Sequence, residues 1–167
     1  HPAREAGRPF HDCRRGHAWR WGEVAFEMLH PGPDATRGAK SPTNASSCVL
    51  RIVAPAARVL LTGDIEAAQE RALVAAYGSA GLRSELMLAP HHGSAPHSSA
   101  ELLAAVAPAH AIAQLGYRNR FGHPAARVQA RYREAGIAVL RSDRDGAITL
   151  TYAPGQAPLV QRARVDD

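Results

Sequence analysis

From Trp19 onward the chain alternates short apolar runs with polar punctuation. Val24, Phe26 and Met28 alternate with Ala25, Glu27 and Leu29, the two-residue period of a half-buried strand that ends at His30-Pro31. A long turn-forming stretch from Gly32 to Ser47 follows. Cys48 to Val53 and Arg58 to Leu61 then read as two buried strands joined as a hairpin through Pro55-Ala56-Ala57. Ile65 to Tyr77 carries a helical pattern, with Leu73, Val74 and Tyr77 on its apolar face and Gly78 as its stop, and Leu86 to Ala89 returns as a strand. Ser98 and Glu101 form a capping box that opens a helix through Leu102, Leu103 and Val106, ended by Pro108. His110 to Leu115 is the next strand, and Pro124 opens a helix to about Ala135. Ile137 to Arg141 and Ala147 to Tyr152 close as a strand pair around the turn signal Asp145-Gly146.

This order has no internal repeat and predicts an α/β (α+β) unit, a mixed sheet with helices on one face. The opposite face is left bare, so something else is expected to cover it. The expected boundaries are a loosely ordered lead-in over 1–18, a structured unit over 19–154 and a tail over 155–167. With 167 residues, 46% of them hydrophobic, the chain suffices for one core. It begins with His1 rather than Met, and no apolar run approaches the roughly 18 residues that cross a bilayer. A soluble piece of something longer is the expectation.

The formal charge is +5, and nineteen of the 20 basic residues are arginine. Guanidinium forks suit phosphate, so an anionic or nucleic-acid partner is compatible with this composition. An Arg- and Ala-rich composition also arises from genomic bias, and no basic run exceeds the pair Arg14-Arg15. Cys13 and Cys48 have no CxxC spacing, which leaves a disulfide and two buried thiols as equal alternatives.

Candidate chemistry lies where apolar runs end. Asp64 follows Leu60-Leu61-Thr62-Gly63, His91 and His92 follow Leu86 to Pro90, and His123 sits between Gly122 and Pro124. Strand exits of a layered α/β unit share one rim, so these groups are able to converge. Each has a bland alternative, since Asp64 and His123 both precede helices and suit capping. A carboxylate with several imidazoles suits a zinc or manganese hydrolase site, in which a metal-bound water is the nucleophile. A Ser94-His123-Asp64 triad ranks lower because no GxSxG elbow accompanies it.

The ordered series Cys13-x-x-Gly16-x-x-Trp19-x-Trp21-Gly22, Leu29-His30-Pro31, Asn44-x-x-Ser47-Cys48, Leu60-Leu61-Thr62-Gly63-Asp64, Pro90-His91-His92-Gly93-Ser94, Asn119-Arg120-Phe121-Gly122-His123-Pro124 and Asp143-x-Asp145-Gly146 resembles the metallo-β-lactamase-like C-terminal region of the ComEC family of DNA-internalisation competence proteins. The resemblance implies the C-terminal part of an αββα sandwich, with Asp64, His91 and His92 as catalytic groups. Asp64, His92 and His123 match ligands of zinc or manganese, although which of His91 and His92 faces the site stays open. The upstream His-x-His-x-Asp-His signature has no counterpart here, and Asn44 and Ser46 stand where another ligand is expected.

On the resemblance, the intact protein is a bacterial inner-membrane channel for DNA, and this domain faces the periplasm, which favours a Cys13–Cys48 disulfide. It implies hydrolysis of the phosphodiesters of the non-imported strand, with Arg118 and Arg120 steadying phosphate. The expected partners are that DNA strand, the membrane channel portion of the same polypeptide and a second copy of the fragment. A catalytic zinc commonly takes three protein ligands, so this chain is expected to be inactive and largely metal-free by itself. The alternative reading is a non-catalytic basic DNA-binding module, and a hydrolase for a lactone or RNA ranks third.

Overall fold

A computed structural model of the chain describes residues 12–35 and 42–164. Residues 1–11 of the expected lead-in, 36–41 of the expected turn region and 165–167 of the expected tail lie outside them. The described residues form a seven-stranded mixed sheet in strictly sequential order and a separate two-stranded ribbon. The strands of the main sheet are β1 (Ala18–Trp21), β2 (Val24–His30), β3 (Val49–Val53), β4 (Arg58–Leu61), β5 (Leu86–Leu88), β6 (His110–Ala113) and β7 (Ala138–Arg141). The first four pair antiparallel and the last four parallel. The helices are α1 (Pro42–Ala45), α2 (Ala67–Leu82), α3 (Ala100–Val106), α4 (Ala126–Glu134) and α5 (Ser142–Asp145), and the ribbon pairs β8 (Ile148–Thr151) with β9 (Leu159–Arg162). The expected mixed sheet with helices on one face is therefore the architecture.

The parallel connections β4-α2-β5, β5-α3-β6 and β6-α4-β7 all step the same way across the sheet, and the right-handed rule for such crossovers puts all three helices on one side. Register shows which side chains meet them. Leu60, Met87, Ala111 and Val139 occupy paired positions across β4 to β7 and pack with Leu73, Leu102, Leu103, Val128 and Tyr132 in one core. Leu50, Ile52, Val59, Leu61, Leu88 and Ile112 fall on the opposite face and are only half-buried. On the helix side, Arg51 of β3 pairs with Glu27 of β2 and donates to the Gly81 carbonyl of α2.

Three local readings are corrected by tertiary context. Ser99, not Ser98, caps α3, accepting the Leu102 N–H at 3.3 Å. Ser98 instead takes a left-handed backbone, φ 58°, and its hydroxyl lies 3.0 Å from the buried Tyr132 hydroxyl. The residues on either side of Asp145-Gly146 do not pair with each other either. β7 is the outer parallel strand beside β6, and β8 turns away to pair with β9 inside the expected tail. The short apolar run of β7, in which only Leu140 is buried, suits an outer parallel strand as well as a hairpin arm. The α2 helix also runs past Gly78, whose non-helical φ of 53° makes a kink rather than a stop.

A fully buried carboxylate ties the helical layer together. Glu70 of α2 accepts the Ser98 and Ser99 N–H groups at 2.7 and 2.8 Å, at the head of α3. Arg131 of α4 donates to the Ser98 and Ala95 carbonyls at 2.8 and 3.0 Å, closing the same loop from the other side. At the far edge, residues 15–17 hydrogen-bond to β2 and the adjoining Pro31, and a Cys13–Cys48 disulfide with Cα atoms 5.8 Å apart joins that segment to the start of β3.

Two stability predictions follow from these ties. Glu70→Ala strands two buried N–H groups and lowers the unfolding free energy by about 2–4 kcal/mol, measured in urea melts. Reducing the disulfide, which spans a sequence separation of 35, costs about 4 kcal/mol on the loop-closure argument, read from melts with and without reductant.

Candidate functional site

The three strand exits are stitched to one another by main-chain bonds. The His91 N–H donates to the Gly63 carbonyl at 3.0 Å, and the Ala125 N–H donates to the Gly93 carbonyl at 2.9 Å. A side chain at Gly93 would place its Cβ 2.6 Å from Pro124 Cβ, so only glycine lets the His123-Pro124 segment approach. The Thr62 hydroxyl donates to the Leu88 carbonyl at 2.9 Å, and the Ser47 hydroxyl accepts the Asp64 N–H at 3.2 Å. Asp64 is not a helix cap, because the cap position of α2 is Glu66, and His123 caps nothing, because Ala125 precedes α4.

Asp64, His91, His92 and His123 thereby share one rim. His92 Nε2 lies 3.4 Å from Asp64 Oδ1, with both side chains about two-fifths exposed. The His91 and His92 rings are 6.3 Å apart, and both imidazoles lie close enough to His123 to oppose its protonation. Burial is the larger cause, and together they hold the His123 imidazole below its ordinary pKa. Arg118 and Arg120 stand on the exposed loop before His123.

His91 and His92 both adopt left-handed backbone conformations, with φ of 46° and 57°. Such residues cost on the order of 1–3 kcal/mol each. An exposed pair such as His92–Asp64 returns at most about 1 kcal/mol. The local conformation is therefore imposed by the surrounding frame rather than stabilised by the pair itself, a pattern that concentrates at functional sites.

Two contributors carried no decisive sequence signal. His97 is buried, with its Nε2 3.2 Å from His91 Nδ1, so one ring nitrogen donates to the other and fixes how the His91 ring is turned. Burial first, and the neighbouring His91 second, push the His97 pKa down to about 4. Arg141, at the end of β7, grips the Asp143 carboxylate with Nε and Nη2 at 3.1 and 2.7 Å and also donates to the His123 carbonyl at 3.3 Å. That bidentate bond holds the Asp143 carboxyl below the usual carboxylate range. Only the Asp143-x-Asp145-Gly146 string hinted at this anchor.

The fit to zinc or manganese is poor. Asp64 and His92 offer one carboxylate and one imidazole, whereas His91 Nδ1 is engaged by His97. Among the described residues, no group of three or more His, Cys, Asp or Glu side chains is placed to hold a metal ion. The arrangement can exchange protons and attract phosphate.

Since His97 titrates near 4 when folded and near 6.5 when unfolded, the unfolded chain binds more protons between those values. Unfolding free energy is therefore expected to fall by up to about 3 kcal/mol as pH drops through that window. Urea melts at its two ends measure this, and His97→Gln should flatten the dependence.

No protein-family model matches the chain. It is 41% identical over 147 residues to competence protein ComA of Neisseria gonorrhoeae, covering 88% of this chain and 20% of that protein. Recombination protein 2 of Haemophilus influenzae is 30% identical over 152 residues, 91% of this chain and 18% of that protein. ComE operon protein 3 of Bacillus subtilis is 29% identical over 151 residues, 90% of this chain and 19% of that protein. The chain thus spans about a fifth of the length of the curated relatives it matches. These names correct the narrower ComEC assignment made from the motifs: the likeness is to a segment of competence protein ComA, ComE operon protein 3 and Recombination protein 2, and it is not specific to ComEC.

Proposed function

We propose that this chain is the DNA-contacting, hydrolase-like segment of a competence-type DNA-uptake protein, and that its own residues bind a strand without cleaving it. The observation that carries the reading is the convergence of Asp64, His91, His92 and His123 beside an arginine-bearing loop, in a chain similar to a relative named competence protein ComA. Arg118 and Arg120 offer guanidinium forks to backbone phosphates, and His92 and His123 offer imidazoles that exchange protons with phosphate oxygens or water.

Magnitudes separate binding from turnover here. General acid–base catalysis contributes roughly 10²–10⁴-fold, whereas enzymes typically accelerate reactions by about 10⁶-fold or more. An Asp–His pair and a neighbouring imidazole supply the smaller factor and not the larger. The nuclease and zinc or manganese readings therefore do not extend to these residues alone.

Attachment to a membrane channel and a periplasmic setting belong to the same proposal. The Cys13–Cys48 disulfide supports an oxidising compartment. No helix among the described residues is long and apolar enough to cross a membrane.

The test is fluorescence anisotropy with labelled DNA across a salt series. Arg118→Ala with Arg120→Ala should weaken binding and reduce the log–log salt slope by about 1 per lost phosphate contact. Asp64→Asn should leave affinity close to wild type, and DNA incubated with the protein and manganese or zinc should stay intact on a denaturing gel. Cleavage by the wild type that Asp64→Asn abolishes would replace this reading with an enzymatic one.

A further inference from the structure

The loop between β6 and α4 exposes two aromatic rings that no core requirement explains. Tyr117 is 71% exposed and Phe121 is 68% exposed, two of the four large apolar side chains left in solvent among the described residues. Each ring is accompanied by guanidinium groups. Arg118 and Arg164 each lie 5.5 Å from the centre of the Tyr117 ring, and Arg120 lies 5.1 Å from that of Phe121. Phe121 is in turn stacked on His123, with ring centres 5.9 Å apart and planes inclined by 17°, so the rings adjoin the imidazole rim.

The loop is held in place from both ends. The Ser142 hydroxyl accepts the Leu115 N–H at 2.7 Å and donates to the Leu115 carbonyl at 2.8 Å. Asn119 accepts the Phe121 N–H at 3.2 Å through Oδ1 and donates through Nδ2 to the His123 carbonyl. Arg164 is set beside Tyr117 by its own N–H, which donates to the Asp145 carbonyl at 2.9 Å. A loop held in this way presents its rings with little further loss of backbone freedom on binding.

We propose that Tyr117 and Phe121 form a base-stacking platform for unpaired nucleotides, with Arg118, Arg120 and Arg164 meeting the phosphates between them. The inference rests on the DNA-contacting reading above and deepens it by naming the single strand as the form bound. Rings interleaved with arginines match the alternation of base and phosphate along a strand. An apolar protein partner would bury three guanidinium groups without supplying their counter-charge, and phosphate supplies it. A duplex hides the faces of its bases, so stacking on protein rings selects the unpaired form.

The experiment uses the whole chain and a labelled oligothymidylate of roughly ten nucleotides, with chelator present so that no metal contributes. Tyr117→Ala and Phe121→Ala should each weaken single-strand binding on the order of tenfold. Phe121→Trp should preserve that affinity, and a duplex of the same length should bind each variant as it binds the wild type. Single-strand affinity unchanged in both alanine variants, or equal losses for single strand and duplex, would overturn the platform. If alanine at both rings is neutral while Arg118→Ala with Arg120→Ala weakens binding, the DNA-contacting reading survives and the platform does not. Absence of binding to either nucleic acid by the wild type would remove both.

Discussion

The carboxylate of Glu70 is the constraint on which the arrangement depends. An isolated charge in a protein interior is costly by several kcal/mol, so it persists only where the fold surrounds it with donors. Glu70 is fully buried and receives the Ser98 and Ser99 N–H groups at the head of α3, where unpaired main-chain donors and the helix dipole favour negative charge. The position of α2 against α3 is thereby tied to the conformation of the loop between β5 and α3. Arg131 and Tyr132 close that loop from α4, and His97 within it sets the orientation of His91. Helix packing and the geometry of the rim are therefore one structure.

Strain and compensation meet at the ends of the parallel strands. Two consecutive histidines in left-handed conformations, a glycine with no room for a side chain and a main-chain bond from His91 to Gly63 bring together groups 27 residues and more apart in sequence. The left-handed conformations are individually unfavourable, and the hydrophobic layer of Leu60, Met87 and Ala111 beneath them supplies the rigidity they require. The result is a half-open cluster of one carboxylate and several imidazoles, in which burial first and the neighbouring His91 and His92 second hold His123 below its ordinary pKa.

The surface beside this cluster is held by the same frame. The loop before His123 carries rings and guanidinium groups outward while Ser142, Arg141 and Asn119 hold its frame inward. The second sheet contributes Arg164, which reaches Tyr117 from a different part of the chain. Net positive charge favours long-range attraction to polyanions in general, whereas the placement of rings and guanidinium groups on this loop is a matter of local geometry.

The sequence by itself determined the period of each apolar run, the hairpin of β3 and β4, the alternation of strand and helix that dictates a mixed sheet, and Asp64, His91, His92 and His123 as groups at strand exits. Those features are local: spacing, turn residues and strand ends are written in neighbouring positions. Tertiary structure alone decided that Ser98 would abandon the cap to meet Tyr132, and that β7 would take a parallel edge rather than pair with β8. It also decided that Glu70 would be buried at another helix's head and that His97 and Arg141 would position His91 and His123. Those outcomes turn on contacts between residues up to 34 apart in the chain, such as Ser98 with Tyr132, and no local pattern of hydrophobicity records which partner a polar side chain meets once the layers close.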